Sequence, residues 1–470
     1  MSDLTPHPPK RPLIWSDIVL ELQDLLADVD APVYIVGGAV RDAYLHRPLK
    51  DIDLITPHNA IALARKIANR MRGDFFALDA ERGVGRAFIM TSEGRLTIDV
   101  AQFRGADLLA DLTDRDFTAN AMAVDLHGDI DQLIDPLGGE SDLNQKLLRR
   151  CTVSSMAHDA IRTLRAVRQG IQLGLRIEAE TLRDIRAYAP KLSQASPERV
   201  RDELFNVLAL SKAGTALRIM EKSGLLPYII PEYSTLVQWH ATNPEAWALK
   251  VSIVERLGDV FSVISPNRTD NSAASFSLGM IAIQLDRYRS QFIEHLNSVW
   301  ANERPYRALI VLGVLLHGLM HTEAALEGLR LSNPERQRLL LLMKNALPYE
   351  ELTPLVIHRF WRRNAAAGID LCLFALAQHL AQAGAELNQD DWLRLIERVQ
   401  RLLEAYFEHY QQLVEPPILL NGEQLMHALG LKPGPMIGKL LEAIREAQVM
   451  GEVTTVEDAV QFARTRYGQE

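Results

Sequence analysis

VYIVGGAVRDAYLHRPLKDIDLIT, Val33 to Thr56, is the stretch that decides the reading of this chain. A β-branched run leads into Gly37 and Gly38, whose missing side chains let backbone N–H groups approach a phosphate, and the chain then turns into a helix whose N-terminus favours an anion. Arg41 sits in the first turn of that helix as a natural triphosphate contact. On the next strand Asp51 and Asp53 stand two apart, so both carboxylates project from one face. Paired oxygen ligands of this kind hold hard cations, which is the Mg²⁺ requirement of phosphoryl transfer. A DxD alone is weak; joined to GGxxRD at this distance it is specific.

Working outward, RAFIM (Arg86 to Met90) and RLTIDVAQF (Arg95 to Phe103) are further strands of the same sheet. Ile98 and Val100 are apolar, so Asp99 between them points away from the packed face and is the candidate third catalytic carboxylate. IALARKIANRM (Ile61 to Met71) is an amphipathic helix. After about Leu143 the apolar period turns helical and stays so, with DAIRTLRAVRQGIQL (Asp159 to Leu173) and PERVRDELFNVLAL (Pro197 to Leu210) as long helices. SVISPNRTDNSAAS (Ser262 to Ser275) reads as a surface loop. The fold class is α+β: a small mixed-sheet head followed by an extended all-helical remainder.

The 470 residues carry 51 basic and 60 acidic side chains, a net charge of −9, with 47% hydrophobic residues, an ordinary globular balance of about three domains. The charge is uneven, with 14 Lys or Arg against 8 Asp or Glu between Asp142 and Arg218, so a local anion-binding groove is compatible with net acidity. Two cysteines are too few for a disulfide framework, and the proline-bearing MSDLTPHPPKRP has no apolar core, so a cytoplasmic protein is expected. The most apolar run, Leu309 to Met320, is too short to span a bilayer.

Further motifs follow in order: DRDFTANAMAVD (Asp114 to Asp125), LIDPLGG (Leu133 to Gly139), HDAIRTLRAVR (His158 to Arg168), SPERVRDEL (Ser196 to Leu204) and LGLKPGPMIGKLLEAIREAQVMGEV (Leu429 to Val453). Together with GGAVRD and DID, this series resembles the class II tRNA nucleotidyltransferase and bacterial poly(A) polymerase family of the polymerase-β superfamily. The resemblance implies a catalytic head over 1–140, a neck over 141–220 that recognises the base, a body over 221–400 with a degenerate HD-like region, and a tRNA-binding tail over 401–470. It implies that Asp51 and Asp53 bind Mg²⁺, and that Arg115, Asp116 and Asn120 meet the incoming nucleotide. Asp159 and Arg162, three apart, would read the base edge from one helix face, an acceptor and a donor suited to C and A over U and G. Arg165 and Arg168 would continue that face toward the triphosphate. Lys432 and Lys439, with the basic segments Leu329 to Leu347 and HRFWRR (His358 to Arg363), are candidate tRNA contacts.

The implied activity is template-independent addition of C, A or both to a tRNA 3′ end from CTP and ATP. CC-adding, A-adding and poly(A)-adding activities, and a non-catalytic RNA-binding paralogue, are the alternatives. Three departures from the family pattern stand out. Asp114 replaces a basic residue in RRD, His158 replaces the Glu of EDxxR, and the connection from Asp99 to Asp116 is short. Many CCA-adding members have a longer flexible loop there, and CC-adding members a shortened one. In relatives with an HD phosphohydrolase site a His-Asp pair binds metal. Here Gly318 follows His317, so His317 and His321 are expected to be ordinary histidines and no zinc or HD-type site is expected.

Overall fold

The computed structural model describes residues 4–92, 94–230, 243–266, 268, 275–298, 304–318 and 326–467. His321 and half of the loop expected at 262–275 lie outside them. The described chain forms two compact units: 1–203 with 219–229, and 204–218 with 230–470.

The first unit is built on a six-stranded sheet, β1 Tyr34–Val36, β2 Asp51–Thr56, β3 Asp74–Asp79, β4 Val84–Thr91, β5 Gly94–Gln102 and β6 Ala123–Asp125, in the order β3-β4-β5-β2-β1-β6. β2 and β5 are parallel and every other neighbouring pair is antiparallel. Alternation over the first four residues of β2 and through the middle of β5 buries Ile52, Leu54, Ile98 and Val100 and turns the intervening aspartates to the other face. The helices are α1 Asp17–Leu26, α2 Gly38–Tyr44, α3 Ala60–Arg70, α4 Leu108–Thr113, α5 Gly139–Asn144, α6 Ser155–His158, α7 Ile161–Leu173, α8 Ala179–Tyr188 and α9 Pro197–Leu208. α3 buries Leu63, Ala64 and Ile67, and it approaches the sheet closely because Gly85 of β4 has no side chain: a Cβ there would stand 2.7 Å from that of Ala64.

Four strands occur where the sequence pattern puts them, and two were not legible. β3 is an edge strand, largely exposed on both faces, so DFFALD shows no alternation. β6 has three residues. The helix expected from Asp159 begins at Ile161 instead.

The second unit is helical. The helix Pro244–Val263 packs on Ala367–Ala383, and Leu425, Leu440, Ile444, Ala459 and Ala463 close a small core of their own near the C-terminus. Among the described residues no single helix is long and apolar enough to cross a membrane. Asp370 is fully buried on Ala367–Ala383 and accepts from Tyr306 Oη at 2.7 Å and Arg338 Nε at 2.8 Å, with His295 Nε2 at 2.6 Å. Burial opposes its charge, but Arg338 and His295 outweigh burial and hold its pKa below the ordinary carboxylate value. Asp370 therefore stabilises the fold fully above its unfolded pKa of 3.8 and progressively less as pH falls below it. Asp370→Ala leaves a buried guanidinium unpaired and is expected to cost about 3–5 kcal/mol at neutral pH, read by urea unfolding; a loss under about 1 kcal/mol would contradict this account.

Candidate active site

The register of the sheet assembles the site. β2 pairs with β5 so that Asp53 lies opposite Asp99 and Asp51 opposite Thr97, and β1 pairs with β2 so that Val36 lies opposite Asp53. Gly37, one residue beyond Val36, is therefore beside Asp53. It adopts φ 74° and ψ −133°, and a Cβ there would stand 2.9 Å from Arg115 Nη1 and 3.2 Å from Asp53 Oδ2. Glycine is required twice over, by conformation and by space.

Asp53 has no hydrogen-bonded or ion-paired partner for its carboxylate among the described residues. Burial raises its pKa most, Asp99 and Asp51 push the same way, and Arg115 pulls against them. Asp51 is raised by burial and by Asp99, with relief from Thr97. Two crowded carboxylates on one face, one of them unpaired, fit the chemistry of a divalent cation site. Asp99 differs: Arg86, its cross-strand neighbour, donates to it bidentately, Nε to Oδ1 and Nη2 to Oδ2, both at 2.7 Å. The third carboxylate is thus present on the expected face and neutralised by an arginine that the sequence did not single out.

The DRDFTAN segment is tied to its surroundings at most of its residues. Asn120 ends a short 3₁₀ turn (Thr118–Asn120); its Oδ1 accepts from Arg41 Nη1 at 2.6 Å, and its Nδ2 donates to Asp116 Oδ1 at 2.8 Å and Gln169 Oε1 at 2.9 Å. One buried amide thereby joins the GGAVRD turn, the DRD motif and α7. Arg41 is further held by Asp42 through Nε and Nη2, both at 2.9 Å. Asp116 Oδ2 accepts from Arg165 Nη1 at 3.3 Å. LIDPLGG supports the segment from behind, since a Cβ on Gly139 would stand 2.2 Å from the Thr118 carbonyl oxygen. Thr118 Oγ1 donates to buried Asp142 at 2.7 Å.

The neck motifs interlock. Arg199 Nη2 donates to Asp159 Oδ2 at 2.7 Å, and Arg168 Nε to Glu203 Oε1 at 2.5 Å, so SPERVRDEL clamps HDAIRTLRAVR at two points. Arg168 also reaches Gln172 and is not turned toward Arg165's partner. Asp159 and Arg162 do not share a helix face as expected, because Asp159 has extended backbone between α6 and α7. Arg162 is buried, donating Nη2 to the Asp114 carbonyl at 2.6 Å and Nη1 to the carbonyls of Arg115 and Ser155 at 3.2 and 3.3 Å. Asp111 and Gln169 were missed by sequence reasoning. Asp111 has an aliphatic neighbourhood, but its carboxylate accepts from Arg115 Nε and Nη2 at 3.0 and 2.9 Å and from the Arg104 backbone N–H at 3.0 Å.

The two substitutions in the family pattern face each other: His158 Nδ1 is 3.6 Å from Asp114 Oδ1. A basic–acidic pair has become an acidic–basic one.

In the second unit, Lys432 and Lys439 are exposed, and neither has an ion-pair partner among the described residues. Much of the expected basic surface is internally matched. Arg359 meets Glu446 bidentately at 2.6 and 2.8 Å, Arg362 lies 3.5 Å from Glu442, and Arg338 serves Asp370. His317 Nδ1 is 2.9 Å from the Leu342 carbonyl and its ring packs edge-on to Phe374.

Residues 33–149 match the model of the poly A polymerase head domain, and 369–463 that of tRNA nucleotidyltransferase domain 2. A CC-adding tRNA nucleotidyltransferase of Geobacter sulfurreducens is 33% identical over 91% of this chain and 90% of its own. The chain belongs to the tRNA nucleotidyltransferase family. It is an enzyme of that class, and nucleotidyltransferases of this kind generally use a divalent metal. An A-adding tRNA nucleotidyltransferase of Deinococcus radiodurans is 29% identical over 93% of this chain and 95% of its own. The fold is that of a solved CCA-adding enzyme in complex with ATP, at 22% identity and a TM-score of 0.63, covering 97% of each chain.

Two outcomes are expected for this nucleotidyltransferase. Gly37→Ala adds backbone strain of about 1–3 kcal/mol and drives a methyl group against Arg115 and Asp53; nucleotide addition should fall at least about tenfold with the circular dichroism spectrum unchanged. His158→Glu sets two carboxylates against each other and should raise the nucleotide KM by about two- to fivefold, the scale of an exposed pair. The double variant Asp114→Arg with His158→Glu should return to near wild type, and additive losses would show the two positions to be uncoupled.

Proposed function

We propose that this tRNA nucleotidyltransferase is a CC-adding enzyme, extending the tRNA 3′ end from CTP and stopping before A. The observation that carries this reading is the link between β5 and α4. It is only Phe103–Asp107, and Asp111 holds it through the Arg104 N–H while its other oxygen takes the Arg115 guanidinium just beyond α4. Resemblance to the family associates a long mobile loop at this place with the switch from C to A; a link of five residues under such restraint leaves no such loop. Relatives named as CC-adding, at 33%, 27% and 29% identity over more than nine-tenths of the chain, support the same choice.

In this reading the residues take the following parts. Asp51 and Asp53 hold Mg²⁺, which would lower the pKa of the primer hydroxyl and stabilise charge on the departing phosphates. Asp99, kept in place by Arg86, maintains the field around that pair. The RNA 3′-oxygen forms a bond to the α-phosphorus, the bond from that phosphorus to its bridging oxygen breaks, and pyrophosphate leaves with the electron pair while the hydroxyl proton passes to solvent. Gly38 presents its backbone N–H to the phosphates, Gly37, whose own N–H bonds the Met122 carbonyl at 3.4 Å, leaves room for them to approach, and Arg41 and Arg115 add charge. Asp116 accepts the ribose hydroxyl, supported by Asn120 and Arg165. Asp159 and Arg162 serve the base edge, Arg162 only after giving up carbonyl partners that hold it now. Arg168 is a positioning residue here, bound to Glu203. The division into head 1–140, neck 141–220, body 221–400 and tail 401–470, with Lys432 and Lys439 on tRNA phosphate and the enzyme in the cytoplasm, belongs to the same proposal. The separate core between Leu420 and Ala463 supports an individual tail.

The test is extension of tRNA transcripts ending at the discriminator base, at C and at CC, with CTP, ATP or both. Two C additions and a stop are expected from the first transcript, and none from the CC-ended RNA. Addition of a terminal A would show that this short link suffices for A and would overturn the CC reading. Asp53→Ala should abolish addition while leaving tRNA binding within about twofold.

A further inference from the structure

Beside the carboxylates one face of the sheet is left open. Residues paired across neighbouring strands point to the same side, so the register lays out two rows. One runs Phe76, Arg86, Asp99, Asp53 from the edge strand β3 inward, and the next runs Asp74, Phe88, Thr97, Asp51. Met90 and Arg95 pair one step further along β4 and β5. The face that carries the candidate metal ligands therefore continues into two phenylalanines, a methionine and an arginine.

These side chains form a surface and not a core. Phe76 is 53% exposed and Met90 76%. The rings of Phe76 and Phe88 meet edge to face with centres 5.6 Å apart, and the Arg95 guanidinium carbon lies 3.6 Å from the centre of the Phe88 ring. A guanidinium held at van der Waals distance on a ring keeps its donors for an anion and offers its outer side to a further planar group. Single exposed apolar side chains are ordinary, but three adjoining ones on one sheet face mark a contact surface. Its position says what makes the contact. Met90 and Arg95 line the same open hollow as Lys50 and Asp51. Phe88 is two strands from Asp51, about 10 Å along its row, a span that one or two nucleotides cover. An occupant of this face lies against the reacting centre, which is the place of a substrate.

We propose that Phe76, Phe88 and Arg95 form a stacking platform for the last unpaired bases of the tRNA 3′ end, aligning its 3′-hydroxyl with Asp51 and Asp53. This rests on the metal-site reading above and adds to it a hold on the primer, since the head residues assigned there serve metal and nucleotide. Stacking suits an end whose last base changes with each addition, because every base has a face to stack. The RNA backbone passes on the Arg95 side, where the guanidinium meets phosphate, and away from Asp74.

The test is fluorescence anisotropy of the full chain in magnesium chloride with two acceptor-stem hairpins, one ending in an unpaired discriminator base and C, the other blunt. Wild type should bind the overhanging hairpin more tightly. Phe76→Ala and Arg95→Ala should each weaken that binding at least about fivefold, change blunt binding and the KM for CTP less than about twofold, and leave the melting temperature within about a degree or two. Phe76→Trp should keep or tighten overhang binding, whereas the equally apolar Phe76→Leu should lose as much as alanine, which separates stacking from packing. Unchanged overhang binding in both alanine variants would overturn the platform. So would equal losses on the two hairpins, which would mark a general disturbance, or a wild-type dimer in sedimentation that Phe76→Ala dissociates, which would give the face to a second copy of the chain. Nucleotide addition that survives Asp53→Ala would instead remove the metal-site reading, and the platform's assignment with it.

Discussion

The parallel pairing of β2 with β5 forces Asp53 against Asp99, with Asp51 one pleat away, on the same face of one sheet. Three carboxylates so placed repel one another, and desolvation together with that repulsion raises the pKa of Asp51 and of Asp53. The fold answers this in two ways. Asp99 is neutralised within the sheet by Arg86, at the one cross-strand position that can reach it bidentately. Asp51 and Asp53 are left uncompensated by any fork of that kind, and this is what makes them available to a cation. Arg41, Arg115, Arg162 and Arg165 are each restrained by a partner of their own.

Holding those arginines apart from the aspartates is the work of residues with no chemistry of their own. Asn120 spends its amide on Arg41, Asp116 and Gln169, and Asp111 spends its carboxylate on the Arg115 guanidinium and the Arg104 backbone. Both side chains are buried, and buried polar groups of this sort fix geometry because each partner they drop would cost the full desolvation of an unmade bond. The neck is held to the same frame by Arg162, whose three carbonyl acceptors lie on Asp114, Arg115 and Ser155. A change at any of these points is transmitted to the reacting face through a rigid contact.

Much of this was legible before any coordinates. Glycines between a β-branched run and a helix, and aspartates two apart on the following strand, specify their own backbone and side-chain directions, so Gly37, Asp51, Asp53 and the outward face of Asp99 follow from local rules. What could not be read is what depends on register and on long-range pairing. No local pattern says that Arg86 faces Asp99, that Asn120 is shared by three segments, or that Arg199 and Glu203 close over α7. The spacing of Asp159 and Arg162 suggested a common helix face, but helical dihedrals begin only after Asp159, and three residues across a helix start do not stack as they do within one. Asp114 and His158 are separate anomalies in sequence and a single exchanged pair in space.

The short link after β5 joins these points into one account of specificity. A loop that is to reshape a base pocket between two successive nucleotides needs two backbone arrangements of similar free energy. Here Asp111 favours one arrangement: it accepts from the Arg104 N–H within the link and holds the Arg115 guanidinium beyond α4. In the CC-adding reading proposed above, that restraint keeps the link to one arrangement, and a pocket with a single shape is what an enzyme that adds C and stops requires.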